Sequence, residues 1–399
     1  MFQLLTCYSS HSHATSFGET PETEIHPIWL IVASYLQSVD IANFSSSCRF
    51  ARTLLRGHRL DNERTHVIPG ILYWLYRREV SLGRNITISN KIINHNTVIL
   101  DLCFALDGSL VLCSSDYTIS VWNTQNWTCL GRLVGHGARV LIVIALPDGS
   151  IASGSENGRI MLWNVRDRRC IRVIVGHYSS IVALCVDANG NLISLCNNRA
   201  LKVWDLSGQC IHSIVILETG KSLALLRNGL VVIGLNDGSM QFLNTSTGTI
   251  QGIMLADGRL DRTLSVKVIC PLAAGGMASG HLDGAIRIWG RSDNRTDAAE
   301  APFIHIGTIE TPSKDSISSL LELPDGIHLV SCSLTSRLIR VWNIASNICV
   351  RTINVHPADT MLVCIKLLPS CHSVISVGSD RTICITALDS IHSLRADDE

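Results

Sequence analysis

Fifteen cysteines and fifteen histidines supply this chain with soft and titratable side chains in quantity. Metal binding, thiol catalysis or general acid–base chemistry would each need several of them at a set spacing. That spacing is missing. No Cys-x-x-Cys pair occurs, and neither Gly-x-Ser-x-Gly, a phosphate loop nor His-Glu-x-x-His stands anywhere in the chain. His11 and His13 fall in a Ser-, His- and Thr-rich tail, residues 1–20. Cys103, Cys185, Cys270 and Cys364 sit inside short apolar runs and read as small buried hydrophobes of a reducing compartment. The expectation is no catalytic residue, no metal site and no cofactor.

Composition argues against two partner classes. The 33 basic and 33 acidic residues cancel, and no Lys/Arg block marks a nucleic-acid footprint. No apolar stretch is long enough to cross a bilayer as a helix. The opening Met-Phe-Gln-Leu-Leu lacks a basic region and has too short an apolar run for a signal peptide. The expected setting is intracellular, cytoplasmic or nuclear, with neither nucleic acid nor membrane as partner.

Any site must therefore be built by a scaffold, and the scaffold is written in a repeat. Ile-Ser-Val-Trp-Asn (119–123), Ile-Met-Leu-Trp-Asn (160–164) and Leu-Lys-Val-Trp-Asp (201–205) place Trp122, Trp163 and Trp204 at intervals of 41 residues. The phrase returns at 286–290 and 339–343, and in degenerate form at 240–244 and 383–387. Successive intervals of 41, 41, 39, 46, 53 and 44 make seven units. The two long ones are assigned to the polar insert Arg291–Ala301 and to a longer turn near Pro324. Short apolar runs bounded by Asp107-Gly108, Pro147-Asp148-Gly149, Asn189-Gly190, Asn228-Gly229 and Pro324-Asp325-Gly326 predict strands and turns.

With Gly135-His136 and Gly176-His177 opening units, and a turn Asp or Asn six residues before the Trp position, the chain resembles the WD-repeat family. The resemblance implies a mainly β fold, a seven-bladed WD-repeat β-propeller. It also implies a hydrogen-bond chain of His, Ser, Asp and Trp in each complete unit. The candidates are His95, Ser114, Asp116 and Trp122; His136, Ser153, Asn157 and Trp163; and His177, Ser194, Asn198 and Trp204. Units four and six lack the His, and unit four also lacks the Trp. The outer strand of the last blade is expected from residues 85–93, with Ile391–Leu394 as the rival.

In this family the narrow face around the channel commonly takes peptide ligands. Two positions per blade would point there. The first set is Leu100, Leu141, Val182, Lys221, Lys267 and, roughly, Ser318 and Met361. The second is Ser115, Glu156, Asn197, Asn236, Leu282, Thr335 and Ser379. Members that read phosphorylated degrons place arginines at such positions, because the guanidinium fork grips phosphate. Here none is arginine, so the expected surface is an apolar arc over blades one to three with a basic edge at Lys221 and Lys267. A propeller enzyme would need a cluster of carboxylates or histidines in the channel, and the repeat register displays none.

Ahead of the repeats the periodicity becomes helical. Ile28, Ile31, Val32, Tyr35 and Leu36 form one apolar face; Asp40 can cap a second short helix, and Ser45–Ser47 a third. Ser34-Tyr35-Leu36, Asp40-Ile41, Phe44 and Ser47-Cys48-Arg49-Phe50 resemble the F-box in order, although His26-Pro27 lies two residues nearer Tyr35 and the Cys-to-Phe step is one residue short. This defines an all-α F-box-like module over 21–58, a helical linker over 59–84 and a propeller over 85–399. The resemblance implies docking of a Skp-type adaptor and cullin ligase core through Pro27, Ile31, Tyr35, Leu36, Asp40, Ile41 and Phe44. The chain then reads as the substrate-recognition subunit of an SCF-type ubiquitin ligase, with an unnamed substrate protein on the propeller. The competing reading is an interaction scaffold whose N-terminal helices only cap the propeller.

Overall fold

The computed structural model describes residues 91–256, 258, 260–291, 303–336, 338–356, 360–369 and 373–388. The F-box-like segment and the linker, with every adaptor-docking residue named above, lie outside them. Within them the chain forms seven four-stranded sheets, each strand antiparallel to its neighbour.

Strand β1 (Lys91–Asn94) comes first and is used last. Blade 1 is β2 (Ile99–Phe104), β3 (Leu110–Ser114), β4 (Ile119–Trp122) and β5 (Cys129–Leu133). Blade 2 is β6 (Val140–Ala145), β7 (Ile151–Ser155), β8 (Arg159–Asn164) and β9 (Arg169–Val175), and blade 3 is β10 (Ile181–Val186), β11 (Leu192–Cys196), β12 (Ala200–Trp204) and β13 (Cys210–Val215). Blade 4 is β14 (Gly220–Leu225), β15 (Val231–Leu235), β16 (Ser239–Asn244) and β17 (Thr249–Leu255), and blade 5 is β18 (Val266–Pro271), β19 (Met277–His281), β20 (Ala285–Arg291) and β21 (Phe303–Glu310). Blade 6 is β22 (Ile317–Glu322), β23 (His328–Ser333), β24 (Leu338–Asn343) and β25 (Ile348–Asn354). Blade 7 takes β26 (Leu362–Leu367), β27 (Ser373–Gly378) and β28 (Thr382–Ala387) from the end of the chain and β1 from its other side.

The residue pattern explains the order of strands. Second strands are sandwiched between neighbouring blades and are buried along their whole length, as in Ile151–Ser155. Small residues such as Ala152, Ser153 and Gly154 let the sheets approach, so these runs do not alternate. Outer strands are mostly exposed instead: in Arg169–Val175 only Ile174 is fully buried. Hairpins between first and second strands turn on glycines at positive φ, 82° at Gly108 and 87° at Gly149, where a side chain would be strained.

Seven apolar clusters fill the seams between blades. Val111, Val121 and Leu133 of blade 1 pack with Val140, Met161 and Trp163 of blade 2. The last seam joins Ile99, Leu102 and Leu110 of blade 1 to Ile375, Val377 and Ile385 of blade 7. Each Trp fills the seam with the preceding blade, as Trp204 does among Leu146, Ile160 and Leu162. Gly176 fits beneath it because a Cβ there would lie 2.5 Å from the Trp204 ring.

Closure comes from the N-terminal side, as favoured above. Lys91, Ile92, Ile93 and Asn94 pair with Ile385, Cys384, Ile383 and Thr382. The rival segment, 391–394, lies outside the described residues. One assignment of extra length changes. The 46-residue interval is lengthened in the loop between β17 and β18, where Asp261 caps a single 3-10 turn, Arg262–Leu264. The turn at Pro324, closing from the Leu323 N–H to the His328 carbonyl, is only one residue longer than those of blades 1 to 5 and equals that of blade 7.

Candidate functional site

Each innermost strand carries a β-bulge at its first step. The ladder skips Leu100, Leu141, Val182, Lys221, Lys267, Ser318 and Val363. A bulge leaves its extra residue unpaired and re-aims the side chain out of the strand's alternation. All seven are half-buried, at the end of the strand where the chain enters from the preceding blade. Six are the positions expected from the tryptophan register. The seventh is Val363 in place of Met361, which sits two residues earlier in the entry loop and is 46% exposed.

The second row is fixed to the first. Backbone N–H groups of Ser115, Glu156, Asn197, Asn236, Leu282, Leu334 and Ser379 donate to carbonyls of Val98, Arg139, Ser180, Thr219, Ser265, Ser316 and Met361, at 2.8 to 3.0 Å. These ties hold the turns between second and third strands against the entry loops, making one platform. Here Thr335 is corrected to Leu334. Counting back from Trp342 fails because the blade-6 turn is one residue longer: Cys332 pairs with Ile339, whereas Gly154 pairs with Ile160.

The platform has two chemical characters. Val363, Leu100, Leu141 and Val182 run apolar from blade 7 through blade 3, with exposed Met361 beside them. Lys221 and Lys267 follow on blades 4 and 5. Burial, then the nearby charge of Lys221, holds the Lys267 ammonium below the usual lysine range. Glu156 is taken up by a two-pronged pair with Arg139, both contacts 2.9 Å. Glu218 accepts from the Thr219 N–H at 2.8 Å and faces Arg199 and Arg262 at 3.8 and 3.7 Å. No carboxylate among the described residues pairs with Lys221 or Lys267. Asn236 accepts from the Ser265 hydroxyl at 3.2 Å, and Leu282 is 42% exposed.

The hydrogen-bond chains behind this platform differ from the expected four-residue sets. In blade 2 the Trp163 indole N–H donates to Ser153 Oγ at 2.8 Å, and His136 Nε2 lies 2.7 Å from the same oxygen. Blade 3 repeats this with Trp204, Ser194 and His177 at 2.7 and 2.6 Å. Asn157 and Asn198 do not complete either chain. Their side-chain oxygens accept from Ser155 and from Cys196 within the turn, and His136 Nδ1 and His177 Nδ1 are buried without a partner.

Blade 1 corrects Ser114. His95 and Trp122 meet on Ser120, at 3.2 and 2.9 Å, while Ser114 donates to Asp116 in the turn. Ser120 faces Leu112 across the ladder, as Met161 faces Ser153 in blade 2. The hydroxyl has moved to the neighbouring strand at the same level. Blade 5 finds its histidine on a strand: Trp289 donates to Ser279 at 2.8 Å, and His281 Nε2 lies 2.7 Å from that Ser. In blade 7 His356 Nε2 lies 3.0 Å from the Ser376 hydroxyl, and its Nδ1 lies 2.9 Å from the Thr382 hydroxyl and 3.6 Å from Asp380, without any Trp.

Residues 87–123, 127–164 and 168–205 match the profile of the WD domain, G-beta repeat. The chain carries WD repeats in a seven-bladed propeller. Each matched WD segment runs from the outer strand of one blade through three strands of the next, so sequence unit and blade are offset by one strand. No curated protein matches the chain.

Sequence reasoning missed Asp101 as well as Ser120, His281, Leu334 and Val363. Asp101 accepts from the Val143 N–H at 3.1 Å and lies 3.5 Å from the Cys364 thiol, joining blades 7, 1 and 2 beside the channel. A carboxylate where the equivalent residues are Ile142, Ala183 and Val268 was the available signal. Burial pushes its pKa up, opposed by the charge of Lys366. Among the described residues no group of three His, Cys, Asp or Glu side chains could hold a metal ion, and the twelve of the fifteen cysteines that are described are free.

Proposed function

We propose that this WD-repeat propeller is a non-catalytic protein-interaction subunit that holds a partner on the face where the innermost strands begin. The observation that carries the reading is the ring of seven bulged residues, each turned out of its ladder beside a tethered turn residue. The matching partner is a protein segment with apolar side chains over blades 7 to 3 and a carboxylate over Lys221 and Lys267. In this reading the chain performs no chemistry of its own.

The finer part of the proposal rests on the residues from Pro27 to Phe50 that resemble the F-box. They would dock a Skp-type adaptor of an SCF-type ligase in the cytoplasm or nucleus, and the propeller would present a substrate lysine at high effective concentration. Capture of the purified adaptor by full-length chain, compared with a chain lacking 21–58, tests it. Unchanged capture after the deletion eliminates the ligase reading and leaves a scaffold. For the face itself, the double substitution Lys221→Glu with Lys267→Glu should weaken an acidic ligand about tenfold or more, while Leu141→Asp should weaken an apolar one. Titration of the captured partner that is indifferent to both rejects this face.

A further inference from the structure

A second surface lies on the outside of blade 2. Strand β9 is the last of its sheet, so one edge of its backbone has no strand beside it among the described residues. Its sequence, Arg-Cys-Ile-Arg-Val-Ile-Val, is free of glycine and proline and rich in β-branched residues. Ile171, Val173 and Val175 are 53, 48 and 70% exposed. In the other outer strands at least one equivalent position is polar: Arg132, Ser213, Gln251, Thr308, Thr352 and Asn94. An apolar strand edge of this length is a ready template for pairing with another chain.

The opposite side of the same strand is basic. Arg172 runs toward blade 3, its Cδ 2.9 Å from where a Cβ on Gly208 would stand. Arg169 is exposed at the start of the strand. The acid of this hairpin, Asp167, is engaged by Asn164 at 3.0 Å and Arg169 at 3.6 Å. Side chains alternate along an added strand, so past the bulge at Ile171 one partner face would meet Val173 and Val175 and the other would meet Arg172.

We propose that the outer edge of β9 receives an extended segment of a partner protein that alternates apolar and acidic side chains, adding a fifth strand to blade 2. Backbone pairing supplies affinity and the alternating side chains supply selectivity. This surface is separate from the channel face, so it stands or falls independently of the function proposed above.

The test uses the full chain and a fluorescent peptide of alternating valine and glutamate. Anisotropy should report binding that weakens about tenfold with Val173→Asp and with Arg172→Glu. It should vanish when every second peptide nitrogen is methylated, and a valine–lysine peptide should not bind. Both substituted side chains are exposed, and unchanged thermal melts would certify folding. Failure of the peptide to bind, or equal binding by wild type and both variants, overturns the proposal. Anionic vesicles that bind wild type but neither variant, with no peptide binding, would overturn it in favour of a membrane-facing surface.

Discussion

His136 and His177 each spend one ring nitrogen on a serine and leave the other buried and unpartnered. Burial, then a nearby cation, pulls both pKa values down from 6.5 to about 4. A base depressed in the folded state binds its proton less readily there than in the unfolded chain. Stability therefore falls as pH drops through the window from 6.5 toward 4, and is fully present above it. Each histidine should cost on the order of 2 kcal/mol by pH 5. Thermal melts between pH 7.5 and 5 read this directly. Asn157→Asp brings a carboxylate toward that nitrogen, as Asp380 stands 3.6 Å from His356 Nδ1. It should raise stability at pH 7 by about 1 kcal/mol and flatten the pH dependence; an unchanged profile would show that Nδ1 burial is not its cause.

Among the elements, the entry loop of blade 3 carries a close steric constraint. Gly176 lies under the Trp204 ring, with 2.5 Å to an added Cβ. Gly176→Ala should destabilise by about 1–3 kcal/mol through overpacking of the seam between blades 2 and 3, measured by urea denaturation. A free-energy loss below about 0.5 kcal/mol would mean that the loop yields at little cost. The same elements separate what was legible in the sequence from what was not. Blades 1 to 3 share one turn length, so the 41-residue register placed Leu100, Leu141 and Val182 on their bulges. Blade 6 has a turn one residue longer, and counting landed on Thr335 instead of Leu334. Ser120 escaped because its equivalence to Ser153 holds across a strand pair, a relation that linear spacing does not carry. The register marked Lys221 and Lys267 as neighbours, but the pairing of Glu156 with Arg139 needed the folded loops.

At the scale of the molecule, the ring is closed by four paired residues of β1 and by the apolar seam between blades 7 and 1. Removing residues 1–94 would leave β28 as an open edge. With ladder bonds contributing about 0.5–1.5 kcal/mol each, the loss should be on the order of 3 kcal/mol, with association through the bare edge. Calorimetry and size-exclusion chromatography would register both, and superimposable melts of the two chains would show that closure does not depend on β1.

The position of that strand also sets a timetable. β1 leaves the ribosome before any blade exists, and its partner β28 is made only after residues 95–381. At about 5–20 residues per second, roughly 15–60 s separate the two strands during synthesis. Throughout that interval the growing ring is an arc with a free end. Stalling or early termination anywhere in the last blade leaves Lys91–Asn94 without its place and blade 1 without its neighbour. The final strand thus acts as a completeness check, and a truncated chain would display its own incompleteness as an unpaired strand.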